Sequence, residues 1–323
     1  MIRSILGNIV AALLAMLAAM PAAGQDYPTK PIRVVIGFSA GSGVDVSARI
    51  IAQKLNERWG QPVIVDNRPG AGGTIAAGIV ANANPDGYTL ISISASHVIT
   101  PTLYSKLPYD TLKDFAGITT TVSLPNVLVV SPSLGVKSVK ELIALAKAKP
   151  GQLLFSSGGV GSGTHFAAEL FKSLAAIDVN HVPFKGIPEA LTETMTGRVQ
   201  FTMSPVSNVL PQAKAGKVVA LAVAPASRVA VLPDVPTLAE AGVAGYRWDT
   251  WFGVLTPAKT PRAIVKKLNQ EIARILVQPD VKERWNAMGA EAIPIAPEAF
   301  DRYIAEQVTL IAKLAKAANV KAE

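Results

Sequence analysis

Ile32-Arg33-Val34-Val35-Ile36-Gly37-Phe38-Ser39-Ala40-Gly41-Ser42-Gly43-Val44-Asp45 is the stretch that sets the fold class. Residues 32–38 are a short, largely apolar run of one strand's length, and they end at a glycine-bearing loop, residues 39–43. From Val44 to Arg58 the apolar residues Val44, Ala48, Ile51 and Leu55 recur at helical spacing. A strand that passes through a glycine loop into a helix is the opening unit of an α/β chain.

The unit recurs. Pro62 to Val65 reads as a strand, residues 67–73 as a glycine loop, Ile75 to Ala83 as a helix, and Tyr88 to Ser94 as a third strand after a turn at Asp86-Gly87. Further on, Asn126 to Val130 is a strand, and Ser138-Val139-Lys140-Glu141 is a capping box that opens a helix to Ala148. Leu153 to Ser156 is a strand, residues 158–163 a glycine-rich loop and Thr164 to Ala175 a helix. Val179 to Phe184, Pro188 to Thr196 and Val199 to Met203 read as strand, helix and strand, and Val218 to Ala224 as another strand. A proline-punctuated connection, Arg228 to Gly245, holds a short helix near Thr237 to Ala241. Trp248 to Leu255 is strand-like, and residues 261–277, 279–288 and 297–318 are helices, the last with a stripe of Phe300, Ile304, Val308, Ile311 and Leu314.

This alternation predicts an α/β protein with mostly parallel sheets. Two such blocks and a helical tail that completes the first predict two lobes with a cleft between them. The expected crossings lie near Leu124-Pro125 and near Ser227. Residues 25–124 with 228–323 then form one lobe and residues 125–227 the other.

The 323 residues give room for two domains, and 50% hydrophobic against 17% charged residues suits a packed core. There is no cysteine, which excludes disulfides, thiolate catalysis and cysteine-ligated zinc. The first 24 residues read as an export signal: Arg3 in a short positive start, an apolar run from Ile5 to Ala19, and Ala22-Ala23-Gly24 before cleavage at Gln25. That run is shorter than the ~20 residues of a membrane span, and a lipid anchor would need a cysteine. The 31 basic and 23 acidic residues give +8, and loss of Arg3 leaves +7. No dense basic block with interleaved aromatics is present, so nucleic acid is not an expected partner.

Two strand-loop-helix junctions are candidate anion sites, Phe38 to Asp45 and Ser156 to His165. The first amides of a helix lack partners within it, the macrodipole is positive there, and glycines let a ligand approach the backbone. A glycine-rich turn that binds nothing is the plainer reading of either loop alone, and one such loop in each lobe favours binding. Gly159-Val160-Gly161-Ser162-Gly163-Thr164 matches a dinucleotide fingerprint only at its first two glycines, with Asp178 where a ribose acid belongs. Neither Ser42 nor Ser162 has nucleophile-elbow spacing, although His165 stands within reach of Ser157 or Ser162 in sequence. His97, His165 and His181 have no metal-ligand spacing. Trp248 and Trp251, on either side of Asp249, are core residues or an aromatic cleft wall. Arg68, in Asp66-Asn67-Arg68, belongs to a turn or pairs with a ligand carboxylate.

Several long motifs resemble the tripartite tricarboxylate transporter receptors, also called Bug or TctC proteins. They are Tyr27-Pro28-Thr29-Lys30-Pro31-Ile32-Arg33, Asp66-Asn67-Arg68-Pro69-Gly70-Ala71-Gly72-Gly73, Pro85-Asp86-Gly87-Tyr88-Thr89-Leu90, Lys106-Leu107-Pro108-Tyr109-Asp110, His181-Val182-Pro183-Phe184-Lys185-Gly186 and Leu232-Pro233-Asp234-Val235-Pro236-Thr237. The resemblance implies a type II periplasmic binding fold that closes on a carboxylate, holds it through backbone amides and ordered waters, and delivers it to a membrane permease. It implies a monomer with no catalysis, cofactor or metal. The ligand set it selects is Phe38, Ser39, Ala40, Ser42, Gly43, Val44 and Asp45 in the first loop, and Ser156, Ser157, Gly158, Gly161, Ser162, Gly163, Thr164 and His165 in the second. Ser94, Phe184, Lys185, Ser204 and Trp251 complete the set. Val44 departs from the family by lacking a hydroxyl, and Ser204-Pro205-Val206-Ser207 lacks the family's Asp or Asn, which argues against an amino-acid ligand. A sensor that docks on a histidine-kinase ectodomain is the alternative with the same pocket.

Overall fold

The structure, a computed structural model, describes residues 27–317 apart from 247 and 249. The expected export segment, residues 1–24, lies outside the described residues.

β1 (Ile32–Ile36) sits between β2 (Val63–Asn67) and β3 (Thr89–Ser94), parallel to both. A central parallel strand is covered on both faces, so its sequence is a run of apolar residues rather than an alternation. α1 (Gly43–Trp59) covers one face with Val44, Ala48, Ile51 and Leu55, all buried, and stops at Gly60 in the left-handed conformation. α2 (Thr74–Ala81) and α3 (Ser96–Leu103) cover the other face. With β4 (Phe115–Ser123), β10 (Trp251–Pro257) and β11 (Glu291–Ala292) these strands form a six-stranded sheet in the order β11-β4-β10-β3-β1-β2.

The second sheet has the order β7-β6-β8-β5-β9. It contains β5 (Asn126–Val130), β6 (Leu154–Ser157), β7 (Asn180–Pro183), β8 (Phe201–Pro205) and β9 (Val219–Val223). α4 (Val139–Ala148), α5 (Gly163–Ala175), α6 (Ile187–Met195) and α7 (Val206–Lys214) flank it. The tail helices α8 (Arg262–Leu276), α9 (Pro279–Ala287) and α10 (Pro297–Ala317) return to the first sheet, where Phe300 and Ile304 lie in the core.

The sheets are mixed, which corrects the expectation of mostly parallel pairing. β10 runs antiparallel to β3 and β4, β11 to β4, and β5 to β8 and β9. The reason lies in the crossings. The chain passes from β4 into β5, and from β9 into β10, and in each sheet the strand that receives the incoming chain runs against its neighbours. Those two strands start at the cleft, whereas β1 and β6 end there. The crossings are tied together, since Leu124 N–H donates to Thr250 O at 2.8 Å and Trp248 N–H to Ala224 O at 3.2 Å.

The short helix expected at 237–241 is a series of turns. Thr237 bridges to Val223 instead, and the Glu240 carboxylate accepts from Thr237 N–H and Arg228 Nε. Among the described residues no helix is long and apolar enough to cross a membrane.

Candidate functional site

The two glycine loops are one device built twice. Gly41-Ser42-Gly43-Val44-Asp45 follows β1, and Gly161-Ser162-Gly163-Thr164-His165 follows β6. Gly41 and Gly161 both have positive φ, 81° and 75°. Ser42 and Ser162 are the caps of α1 and α5, with ψ of 156° and 157°. Ser42 N–H donates to Ser39 O at 3.2 Å, and Ser162 N–H to Gly159 O at 3.0 Å. In each loop the side chain four residues on accepts from the first glycine: Asp45 Oδ2 from Gly41 N–H at 2.9 Å, His165 Nδ1 from Gly161 N–H at 3.3 Å.

The loops differ in what they do with their hydroxyls. Ser162 Oγ accepts from His165 N–H at 3.1 Å and lies 3.1 Å from Thr164 Oγ1, which in turn accepts from Gly158 N–H at 3.0 Å. Ser42 Oγ is buried with no partner among the described residues, and so is Thr250 Oγ1. Both line a cavity of about 40 Å³ between the sheets, together with Gly43, Val44, Gly163 and Thr164 of the two helix starts. A buried hydroxyl without a partner costs on the order of 1–3 kcal/mol, which a bound polar group would recover.

Charge is managed differently on the two sides. Burial alone would raise the Asp45 carboxyl, but the Arg49 guanidinium, Gly41 N–H and Asn67 Nδ2 hold it below the usual carboxylate range. Burial, helped by the Lys172 charge, pushes His165 down to about 4, so it is a neutral imidazole. His181 stacks on it at 4.1 Å and is pushed down to about 3, chiefly by burial.

Of the expected ligand set, Phe38, Ser42, Gly43, Val44, Ser94, Gly158, Ser162, Gly163 and Thr164 line the cavity. Phe184 and Lys185 line a larger hollow of about 660 Å³ that shares Gly158 with it. Ala40 is exposed. Ser39 Oγ donates to Glu189 Oε1 across the cleft at 2.8 Å. Asp45, His165 and Gly161 brace the loops from within.

Other members of the set point elsewhere. Ser156 turns to the opposite face of β6, its Oγ on Ala190 O at 3.0 Å and Thr194 Oγ1 at 3.1 Å. Ser204 Oγ is buried without a partner among the described residues, and its neighbour Pro205 lines the cavity instead. Trp251 packs edge-on against Phe300 and Tyr303 in the core of the first sheet. Strand alternation reverses the expectation here, because turning Trp251 inward presents Thr250 and Phe252 to the cavity. Ile187, at the start of α6, also lines it. Arg68 pairs with Asp66, which also accepts from Arg33.

Ser157 Oγ lies 2.6 Å from His181 Nε2, a pairing that sequence spacing does not reveal. The same hydroxyl accepts from Gly159 N–H at 3.1 Å and is fully buried under its own loop. Its imidazole partner leans on His165 and Phe155 rather than on a carboxylate. The pair therefore lacks the oriented base and open face of an activated nucleophile. Among the described residues no group of three or more His, Asp or Glu is placed to hold a metal ion.

Further contacts bridge the halves. Asn208 Nδ2 donates to Gly41 O at 3.1 Å, and Tyr104 Oη to Val160 O at 3.2 Å. A Cβ at Gly72 would stand 2.4 Å from Val160 O, so backbone meets backbone there.

The family model described as tripartite tricarboxylate transporter family receptor matches residues 47–320. The chain belongs to this receptor family. A relative from the tcbD-tcbE intergenic region of Pseudomonas sp. (strain P51) is 38% identical over 84% of this chain and 81% of its own. Among solved structures, R. palustris Rpa4515 with adipate is 35% identical with a TM-score of 0.89, covering 92% of this chain and all of that one. MatC from Rhodopseudomonas palustris with bound malate is 32% identical with a TM-score of 0.86, covering 89% and 99%. In this family member the two-lobed solute-binding fold brings one glycine loop from each sheet to a single cavity.

Proposed function

We propose that the protein is a periplasmic solute receptor that captures a small carboxylate between its lobes and presents it to membrane permease subunits. The observation that carries this reading is the convergence of two helix starts, α1 and α5, on one cavity that also holds the unbonded hydroxyls of Ser42 and Thr250. Helix N-termini attract an anion by up to ~2 kcal/mol each in partly buried geometry. The adipate and malate in the two structural relatives are carboxylates of the same kind. In this reading residues 25–124 with 228–323 form one lobe and residues 125–227 the other. The segment 1–24 is removed on export, and the ligand leaves chemically unchanged.

A thermal-shift screen of mono-, di- and tricarboxylates against sugars and amines tests the reading. A ligand present at a hundredfold its Kd adds about 2.7 kcal/mol to folded-state stability, so a carboxylate should raise the midpoint by several degrees. Response to sugars or amines alone, or turnover of the bound compound, would overturn it.

A further inference from the structure

We propose that His97 binds a single water molecule under the first sheet, in a second, smaller cavity behind the wall of the one where the two helix starts meet. The His97 side chain is buried, and its Nε2 has no partner among the described residues. The ring lies flat against Tyr109, with centroids 5.9 Å apart, and edge-on to Phe115 at 4.9 Å. The imidazole also bonds the Thr111 backbone, a contact that favours its charged form, so the ring donates there and Nδ1 carries the proton. Burial outweighs that bond and pushes His97 down to about 4, which leaves a neutral ring with one N–H. Nε2 is therefore a bare lone pair sealed from solvent, and such an acceptor calls for a donor.

The surroundings suit a water. His97 lines a cavity of about 10 Å³ together with Ser96, Thr100, Tyr109 and the turn at Gly72 and Gly73. That is the room of about one water, which makes about three hydrogen bonds when buried. The nearest hydroxyls are directed elsewhere: Ser96 Oγ lies 2.9 Å from Ser94 Oγ, and Thr100 Oγ1 donates to His97 O at 3.4 Å. Each hydroxyl oxygen keeps a lone pair. One hydrogen of the water then goes to Nε2 and the other to one of these oxygens. Phe38 and Ser94 line both cavities, and Gly72 approaches Val160 of the opposite half. The water thus backs the wall that a ligand would meet, and it stands beside the turn that touches the other half.

The test is a high-resolution crystal structure of the mature protein without added ligand. Ordered density for one water about 3 Å from Nε2 is the expected result. A protein donor on Nε2, or no density there, overturns the proposal. A second arm works in solution with His97→Gln and His97→Phe. Both lose the ring nitrogen that bonds Thr111, and Gln alone still offers an acceptor toward the cavity. The thermal midpoint should be several degrees higher for Gln than for Phe. A Phe variant as stable as the Gln variant, or more stable, also overturns the proposal, because a dry site gains from losing its orphaned acceptor. The wild-type crystals decide the matter whether or not the variants fold.

Discussion

The loop after β1 and the loop after β6 share a Gly-Ser-Gly core, the same backbone course and the same bond from the first glycine N–H to the side chain four positions on. They differ in where their polar capacity is directed. In the second loop Ser162 caps its own helix, Thr164 closes the turn, and His165 is a neutral prop. In the first loop Asp45 does the bracing with Arg49 and Asn67, and Ser42 is left unbonded beside the cavity. The second loop is a self-satisfied support, and the first retains a hydroxyl for a visitor. Matching sequence therefore does not mean matching role.

The harshest way to break the symmetry of the two helix starts is to place a negative charge in each. Ser42→Asp keeps a good capping residue. Among the described residues, Gly163→Asp adds a Cβ that meets only Trp248 and Thr250, at 3.9 and 4.0 Å. At ~4 Å and an effective dielectric of ~20, the repulsion of a bound carboxylate is on the order of 4 kcal/mol. Calorimetry should show at least a hundredfold weaker binding for both variants with unchanged circular dichroism. Unchanged affinity in both would mean that the anion sits elsewhere.

Acid should separate the loops next. Above pH ~6.5 the imidazoles are neutral in folded and unfolded chains alike. As pH falls from there toward about 4 for His165 and about 3 for His181, the unfolded chain takes up protons that the folded one refuses. Stability is therefore lost as pH falls through that window, by on the order of 3 to 5 kcal/mol for each imidazole. Asp45, whose folded value is lowered, keeps its contribution above the usual carboxylate range and loses it only at lower pH. Urea titrations between pH 7 and 4 should show a steep decline in wild type and a shallower one in His165→Asn/His181→Asn. Equal slopes would remove the imidazole pair from the account.

The smallest effects sharpen the comparison most. Ser162→Ala should lower stability by about 1 kcal/mol, the usual value of a cap. Ser42→Ala should raise stability by about 1 kcal/mol, since it removes a buried hydroxyl that has no partner among the described residues, yet weaken the carboxylate severalfold. Denaturation and calorimetry on both variants separate the two roles, and reversed results would exchange them.

What the sequence makes legible follows from how local each signal is. The stripe of α1 and the Ser138 cap, which accepts from Glu141 N–H at 3.2 Å, are written within one turn of themselves. β4 is not read from the sequence, because Thr119, Thr120 and Thr121 look polar. In the fold they are buried, with Thr119 Oγ1 donating to Ile295 O, 176 residues away. α3 is concealed by its internal Pro101. At the site, the glycine loops are visible because helix starts carry their chemistry locally. Whether Trp251 or its neighbours face the cavity depends on register with β3 and β4, set far along the chain. The inward turn of Ser156 and the contribution of Ile187 are concealed for the same reason.

The meeting of Gly72 with Val160 has a consequence for how this protein tolerates change. A single methyl at position 72 would stand 2.4 Å from a carbonyl oxygen of the opposite half, at a backbone φ of 61° that side chains rarely adopt. It would act as a doorstop, propping the halves apart. Gly72→Ala should therefore weaken binding although no residue that lines the cavity of about 40 Å³ has changed, which calorimetry would read.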